Sequence, residues 1–98
     1  MPTKRVIPVE QFCTNYQIEV AFIRTLSEHG LTEISVIDDT PHIFEKNIKS
    51  LERMMRLHYE LEINIEGIEA ISHLLDRMDS LHEELRSLKN RLRFYENT

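Results

Sequence analysis

A chain of 98 residues with 41% hydrophobic and 30% charged side chains is one small domain with a limited core, too apolar to be disordered. Its apolar runs stay below the roughly 18 residues of a membrane span, and the opening MPTKRVIPVE lacks the apolar stretch of a signal peptide. The net charge of −5 is unevenly held: residues 1–44 carry three basic and six acidic side chains, a net −3, where a duplex-binding module needs a basic footprint.

In chain order, residues 3–7 (TKRVI) suit a short edge strand, and Pro8 then suits the start of a helix, where its missing N–H costs nothing. That helix gives one or two turns, ending near Asn15 and Tyr16. Cys13, the single cysteine, has no intrachain partner. Beside Val9 and Phe12 it reads as a small buried hydrophobe, in keeping with a reducing cytoplasm. A second helix over residues 19–29 puts Ile18, Phe22, Ile23 and Leu26 on one side, and Gly30 stops it. Two short helices with a tight turn make a helix-turn-helix.

Ile34, Val36 and Ile37 favour a strand, Asp38-Asp39-Thr40-Pro41 a turn, and His42-Ile43-Phe44 the returning strand. This hairpin stands where a winged helix-turn-helix carries its wing. A third helix, residues 45–62, turns Ile48, Leu51, Met55, Leu57 and Leu61 inward, with Met54 and Met55 filling gaps in the core. Asn64 is an N-cap for the last helix, and Glu66 suits its positive end. Gly67 permits close approach of the third helix, while Ile65, Ile68, Ile71 and Leu75 seal the core.

From there the helix leaves the domain. Leu74, Met78, Leu81, Leu85, Leu88, Leu92 and Tyr95 recur at alternating steps of four and three, the 3.5-residue period of a coiled-coil seam. Arg77, Glu84 and Arg91 flank the seam on one side; His82, Lys89 and Glu96 flank it on the other. Such a stripe asks for a second helix, and a self-dimer is the expected answer, ahead of packing across its own domain or against a foreign partner helix. Its orientation stays open: the parallel pairs Glu84 with Lys89 and Arg91 with Glu96 would each be worth only tenths of a kcal/mol. The expected architecture is mainly α: a winged helix-turn-helix domain over residues 1–64 with a small β-hairpin wing, and a long C-terminal helix over 65–98 whose coiled-coil arm starts near 74.

No chemistry stands out. The five histidines lack metal-ligand spacing, and there is no phosphate-binding glycine loop, nucleophile elbow or cleft with paired carboxylates. Neither a metal nor a cofactor is expected, nor enzyme activity.

The order of elements resembles the MerR-type winged helix-turn-helix. Ile23-Arg24-Thr25-Leu26-Ser27-Glu28-His29-Gly30-Leu31 is similar to that family's recognition-helix pattern at Arg24 and Gly30-Leu31. Thr25 and Leu26 replace two aromatics of that pattern, and the arginine usual in the wing is missing from His42-Ile43-Phe44. A closer resemblance runs through Arg56-Leu57, Glu60-Leu61, Asn64, Gly67-Ile68 and Leu74-Leu75, which match the chaperone-modulator (CbpM) branch. That resemblance implies a cytoplasmic adaptor that binds the J-domain of a DnaJ/CbpA-like co-chaperone and inhibits it. A J-domain presents a basic helix to its chaperone partner, so a competitor should offer acid, and Glu19, Glu28, Glu33, Asp38 and Asp39 supply it. The rival reading is a MerR-like regulator gripping DNA through Arg24, Lys4 and Arg5, the basic side chains of residues 1–44. A coiled-coil subunit with a structural role is the third.

Overall fold

The computed structural model describes residues 5–96. Strand β1 (Val6–Pro8) leads into helix α1 (Val9–Tyr16), followed by α2 (Val20–Glu28), strands β2 (Ile34–Ile37) and β3 (Thr40–Phe44), α3 (Ile48–Met55) and α4 (Ile65–Glu96). Thr3 and Lys4 lie outside the described residues, so the expected strand over 3–7 is seen only from Val6. Pro8 ends that strand as well as preceding the helix.

The left-handed conformation does much of the turning. Gln17 (φ 56°) closes α1, and Ile18 N–H reaches back to the Cys13 carbonyl at 3.0 Å. After α2, Gly30 (φ 72°) donates to Ser27 and Leu31 to Leu26, the paired bonds of a Schellman stop. Between β2 and β3, Asp38 (φ 50°) and Asp39 (φ 61°) form a two-residue turn of the primed kind that matches strand twist. Aspartate tolerates this region better than most residues.

The sheet is antiparallel in the order β1-β3-β2, so the expected hairpin gains a third strand through Ile7 opposite Ile43. Thr40 and Pro41, expected in the turn, extend β3 instead. Ile37 and Thr40 close the turn, which leaves Pro41, opposite Val36, in the pair that exchanges no ladder bonds. The strand therefore accepts a proline.

Phe12, Ile23, Leu26, Ile43, Leu51 and Ile68 form the centre of the core, joined by Val9, Cys13, Phe22, Met54 and Met55. Burial pushes the Cys13 thiol above its ordinary pKa, as befits a packed hydrophobe. Both methionines are core, as expected.

Two expectations fail in α3 and at the start of α4. A 3₁₀ turn (Glu45–Asn47) precedes α3, and a π turn (Arg56–Glu60) follows it. The wider turn slips the register by one residue, about 100° of rotation. Leu61 is therefore carried off the core side and is 64% exposed, while Leu57 is half-buried. Glu62 (φ 54°) then turns the chain into Asn64, whose Oδ1 accepts the Gly67 N–H at 2.8 Å. The N-cap is as expected, but the role of Gly67 is not. A Cβ there would lie 2.6 Å from Ile63 Cγ2 and 3.1 Å from the capping oxygen, so glycine makes room for the cap and its preceding residue rather than for the third helix.

Past its first turns α4 leaves the domain. Ile68 is its one buried residue among those described, with Ile65, Ile71 and Leu75 half-buried. The radius of gyration is 17.9 Å against about 13 Å for a compact chain of this length, a difference that the projecting helix explains. Its 32 residues span about 48 Å.

Gly67→Ala tests the N-cap crowding. Alanine favours a helix interior by about 1 kcal/mol, yet the clash with a β-branched methyl that cannot swing away should outweigh this. A net loss of about 1 kcal/mol in urea unfolding is expected; a gain would show that Ile63 yields without cost.

Candidate functional site

The exposed face of the helix-turn-helix and wing carries acid at three separate places. Glu19 is the N-cap of α2, Glu28 ends the same helix, and Glu33 stands just before β2. Asp38 and Asp39 form the tip of the wing, and all five are exposed. Glu28 and Glu33 flank one short loop, whereas Glu19 lies nine residues back along the helix, about 13 Å away. No group of three His, Cys, Asp or Glu side chains among the described residues could hold a metal ion.

The basic side chains of this half are sparse. Arg24 is exposed on α2, while Arg5 is paired with Glu45 at 3.7 Å in an open position. Lys4 lies outside the described residues. The helix that would read a duplex thus offers one cation, at Arg24, and ends on Glu28.

A second feature gave little sign in the sequence. The π turn sets His58 and Tyr59 against α2: the Phe22 and His58 rings stack at 4.7 Å, and Tyr59 meets Phe22 edge-on at 5.3 Å. His58 Nδ1–H donates to the Ile63 carbonyl at 3.0 Å, holding the turn closed, and the Tyr59 hydroxyl accepts the Glu19 N–H at 3.5 Å. Across a shallow groove of about 380 Å³, Tyr16 lies on Phe12 at 4.5 Å and donates its O–H to Glu52 at 3.0 Å. That donated bond, then slight burial and the neighbouring carboxylate charge, raise the Tyr16 pKa above its ordinary value. The one trace in the sequence is a broken stripe: from Met55 the next inward candidate, Leu57, comes after two residues where a helix asks for three or four.

The third feature is the arm. Every residue of the expected seam is exposed: Leu74 64%, Met78 51%, Leu81 49%, Leu85 50%, Leu88 59%, Leu92 58% and Tyr95 74%, with Phe94 beside them at 70%. At its root, His29 Nδ1 donates to Glu69 at 3.1 Å and ties the end of α2 to α4.

Taken together these are the features of a winged helix-turn-helix fold with exposed acid on its helix-turn-helix and wing, an aromatic groove and an exposed apolar stripe along α4. Residues 7–90 match the family model described as MerR HTH family regulatory protein, and the chain belongs to that family. It is 28% identical over 87 residues to the chaperone modulatory protein CbpM of Pseudomonas entomophila (strain L48), covering 88% of this chain and 86% of the relative. The CbpM of Pseudomonas putida (strain W619) is 29% identical with the same coverage. The likeness to the chaperone-modulator branch seen in the residues is thus matched across nearly the whole chain.

Two measurements bear on this geometry. The Tyr16 hydroxyl favours its protonated form in the folded chain, so its stabilisation is present below the unfolded tyrosine pKa of about 10 and is lost as pH rises through the higher folded value. Ultraviolet titration of the wild type against Tyr16→Phe should find Tyr16 ionising late, and Glu52→Ala, which removes both the acceptor and its charge, should return it towards the ordinary range. Duplex DNA should bind no better than roughly 10⁻⁴ M at physiological salt. A sequence-selective complex tighter than about 10⁻⁷ M in fluorescence anisotropy would instead make the chain a DNA reader.

Proposed function

We propose that this protein is a non-enzymatic chaperone modulator that binds the J-domain of a DnaJ/CbpA-like co-chaperone and inhibits it by competition. The observation that carries the reading is the exposed acid of the helix-turn-helix half, a net −3 over residues 1–44 on a fold whose curated relatives are named chaperone modulators. Glu19, Glu28, Glu33, Asp38 and Asp39 attract the basic helix of the J-domain and keep it from its chaperone. The mechanism is steric and electrostatic, and no bond is made or broken.

The seam supports a homodimer through α4. Residues 74–84 carry Asp76, Asp79, Glu83 and Glu84 against Arg77, a net −3, while residues 85–95 carry Arg86, Lys89, Arg91 and Arg93, a net +4. A parallel pair sets like against like along its whole length. An antiparallel pair sets acid against base twice, which outweighs the individual flank pairs and favours that orientation. A dimer built this way holds two acidic faces at the ends of a rod, for use within a cytoplasm that also holds the co-chaperone.

Leu81→Asp combined with Leu88→Asp places four charges in the dimer's seam and should give a monomer by sedimentation equilibrium. An unchanged mass would rule the seam out as the interface, as would a monomeric wild type at high micromolar concentration. Binding to the J-domain should slow as salt rises, and Glu28→Lys with Glu33→Lys, or Asp38→Lys with Asp39→Lys, should weaken it. These surface changes should cost under about 0.5 kcal/mol of stability. Calorimetry indifferent to salt and to both reversals would reduce the acids to a solvated surface.

A further inference from the structure

Exposed charge accounts for how a partner arrives and turns, but residence depends on a buried apolar contact near the middle of an interface. None of the five acidic residues provides one. The groove between the α1–α2 turn and the π turn does. Ile18 and Met55 line it, and Tyr16 and Tyr59 stand as its walls, 40% and 45% exposed.

We infer that this groove is the anchoring site for the partner, and that its occupant is a basic amphipathic helix inserting one large apolar side chain between Tyr16 and Tyr59. The inference rests on the J-domain reading and adds the place where that helix is held. Three observations carry it. The first is charge: Glu52 and Glu60 line the groove against one cation, Arg56. Glu19 stands in the adjoining depression, for which Tyr59 is a shared wall. An apolar side chain flanked by lysine or arginine therefore finds acid on both sides, with the two tyrosine faces open to the same cations.

The second is rigidity. Tyr16 is fixed by Phe12 below and Glu52 at its hydroxyl, and Tyr59 by Phe22, His58 and the Glu19 N–H. Side chains already held in place lose little freedom when a partner arrives. The third is backbone geometry. The groove is lined by a non-glycine residue in the left-handed region, Gln17, and by a π turn that is followed two residues later by another, Glu62. A regular helix through residue 62 would have kept Leu61 inside and is the simpler way to close this core. The departure presents Tyr59 and Glu60 outward, and such departures gather where a surface is used.

The test is calorimetry and stopped-flow binding of an isolated DnaJ-type J-domain to the full chain, wild type against Tyr59→Ala and Glu60→Arg, with melting curves beside them. Glu60 is exposed, so Glu60→Arg keeps the fold and tests the site even where Tyr59→Ala loosens the aromatic contacts. Expected are at least a tenfold weakening for Tyr59→Ala, seated in faster dissociation, and several-fold for Glu60→Arg. Tyr59→Ala should leave the salt dependence of association in place, whereas Glu60→Arg should reduce it. A wild type that binds while both variants bind as well as it does would overturn the groove and leave the J-domain reading standing. A wild type that does not bind the J-domain would overturn both. Amide shifts of Tyr59 and Glu60 that grow with protein concentration alone would assign the groove to a second copy of this chain and likewise overturn the inference.

Discussion

Ile68 holds the balance of this molecule. It lies in the first turns of the longest helix, reaches the centre of the core, and is the one buried residue of α4 among those described. The domain beneath it is closed by that contact and by the half-buried Ile65, Ile71 and Leu75. With a core this small, the rest of α4 has no interior left to enter. Its leucines are exposed because the domain is complete without them, and the apolar stripe is a second, unfinished structure growing out of the first.

The junction that leads to Ile68 is correspondingly constrained. Within the short run from Met55 to Gly67 the chain passes from an α turn to a π turn, crosses a left-handed glutamate and is capped by Asn64. The His58 ring is held between Phe22 and the Ile63 carbonyl, so the corner is fixed from inside and outside at once. This corner sets the direction of the arm and also presents the tyrosine wall of the groove. Arm, core and groove share one joint.

What was legible in the residues was local. Gly30 after Leu26, Asn64 before Ile65, and the four-three rhythm from Leu74 each act within one turn of helix, so the chemistry of a few neighbours reveals them. The winged helix-turn-helix followed from their order. The π turn was not legible, because Arg56–Glu60 contains no glycine or proline and holds good helix formers. Its choice of conformation depends on Phe22, more than thirty residues away. For the same reason the Tyr16–Glu52 bond and the pairing of β1 with β3 stayed hidden. The acidic residues could be named but not placed: charge is counted from composition, whereas the distance between Glu19 and Asp39 is a property of the fold. A fold used elsewhere for reading duplexes does not decide what this surface meets. Its charge bears on that more directly.

The wing gives these acids another consequence. In the order β1-β3-β2, strand β2 is an outer strand, with one row of backbone donors and acceptors open to any extended chain. It also shows Val36 at 68% and Ile37 at 42% exposure, the composition that invites strand addition and aggregation. Four residues is short for such an edge, and both ends are guarded, by Glu33 before it and by Asp38 and Asp39 after it. A second copy laid along β2 would bring these carboxylates against its own. The negative tip of the wing therefore acts as a gatekeeper, keeping a sticky strand single whatever else its charge attracts.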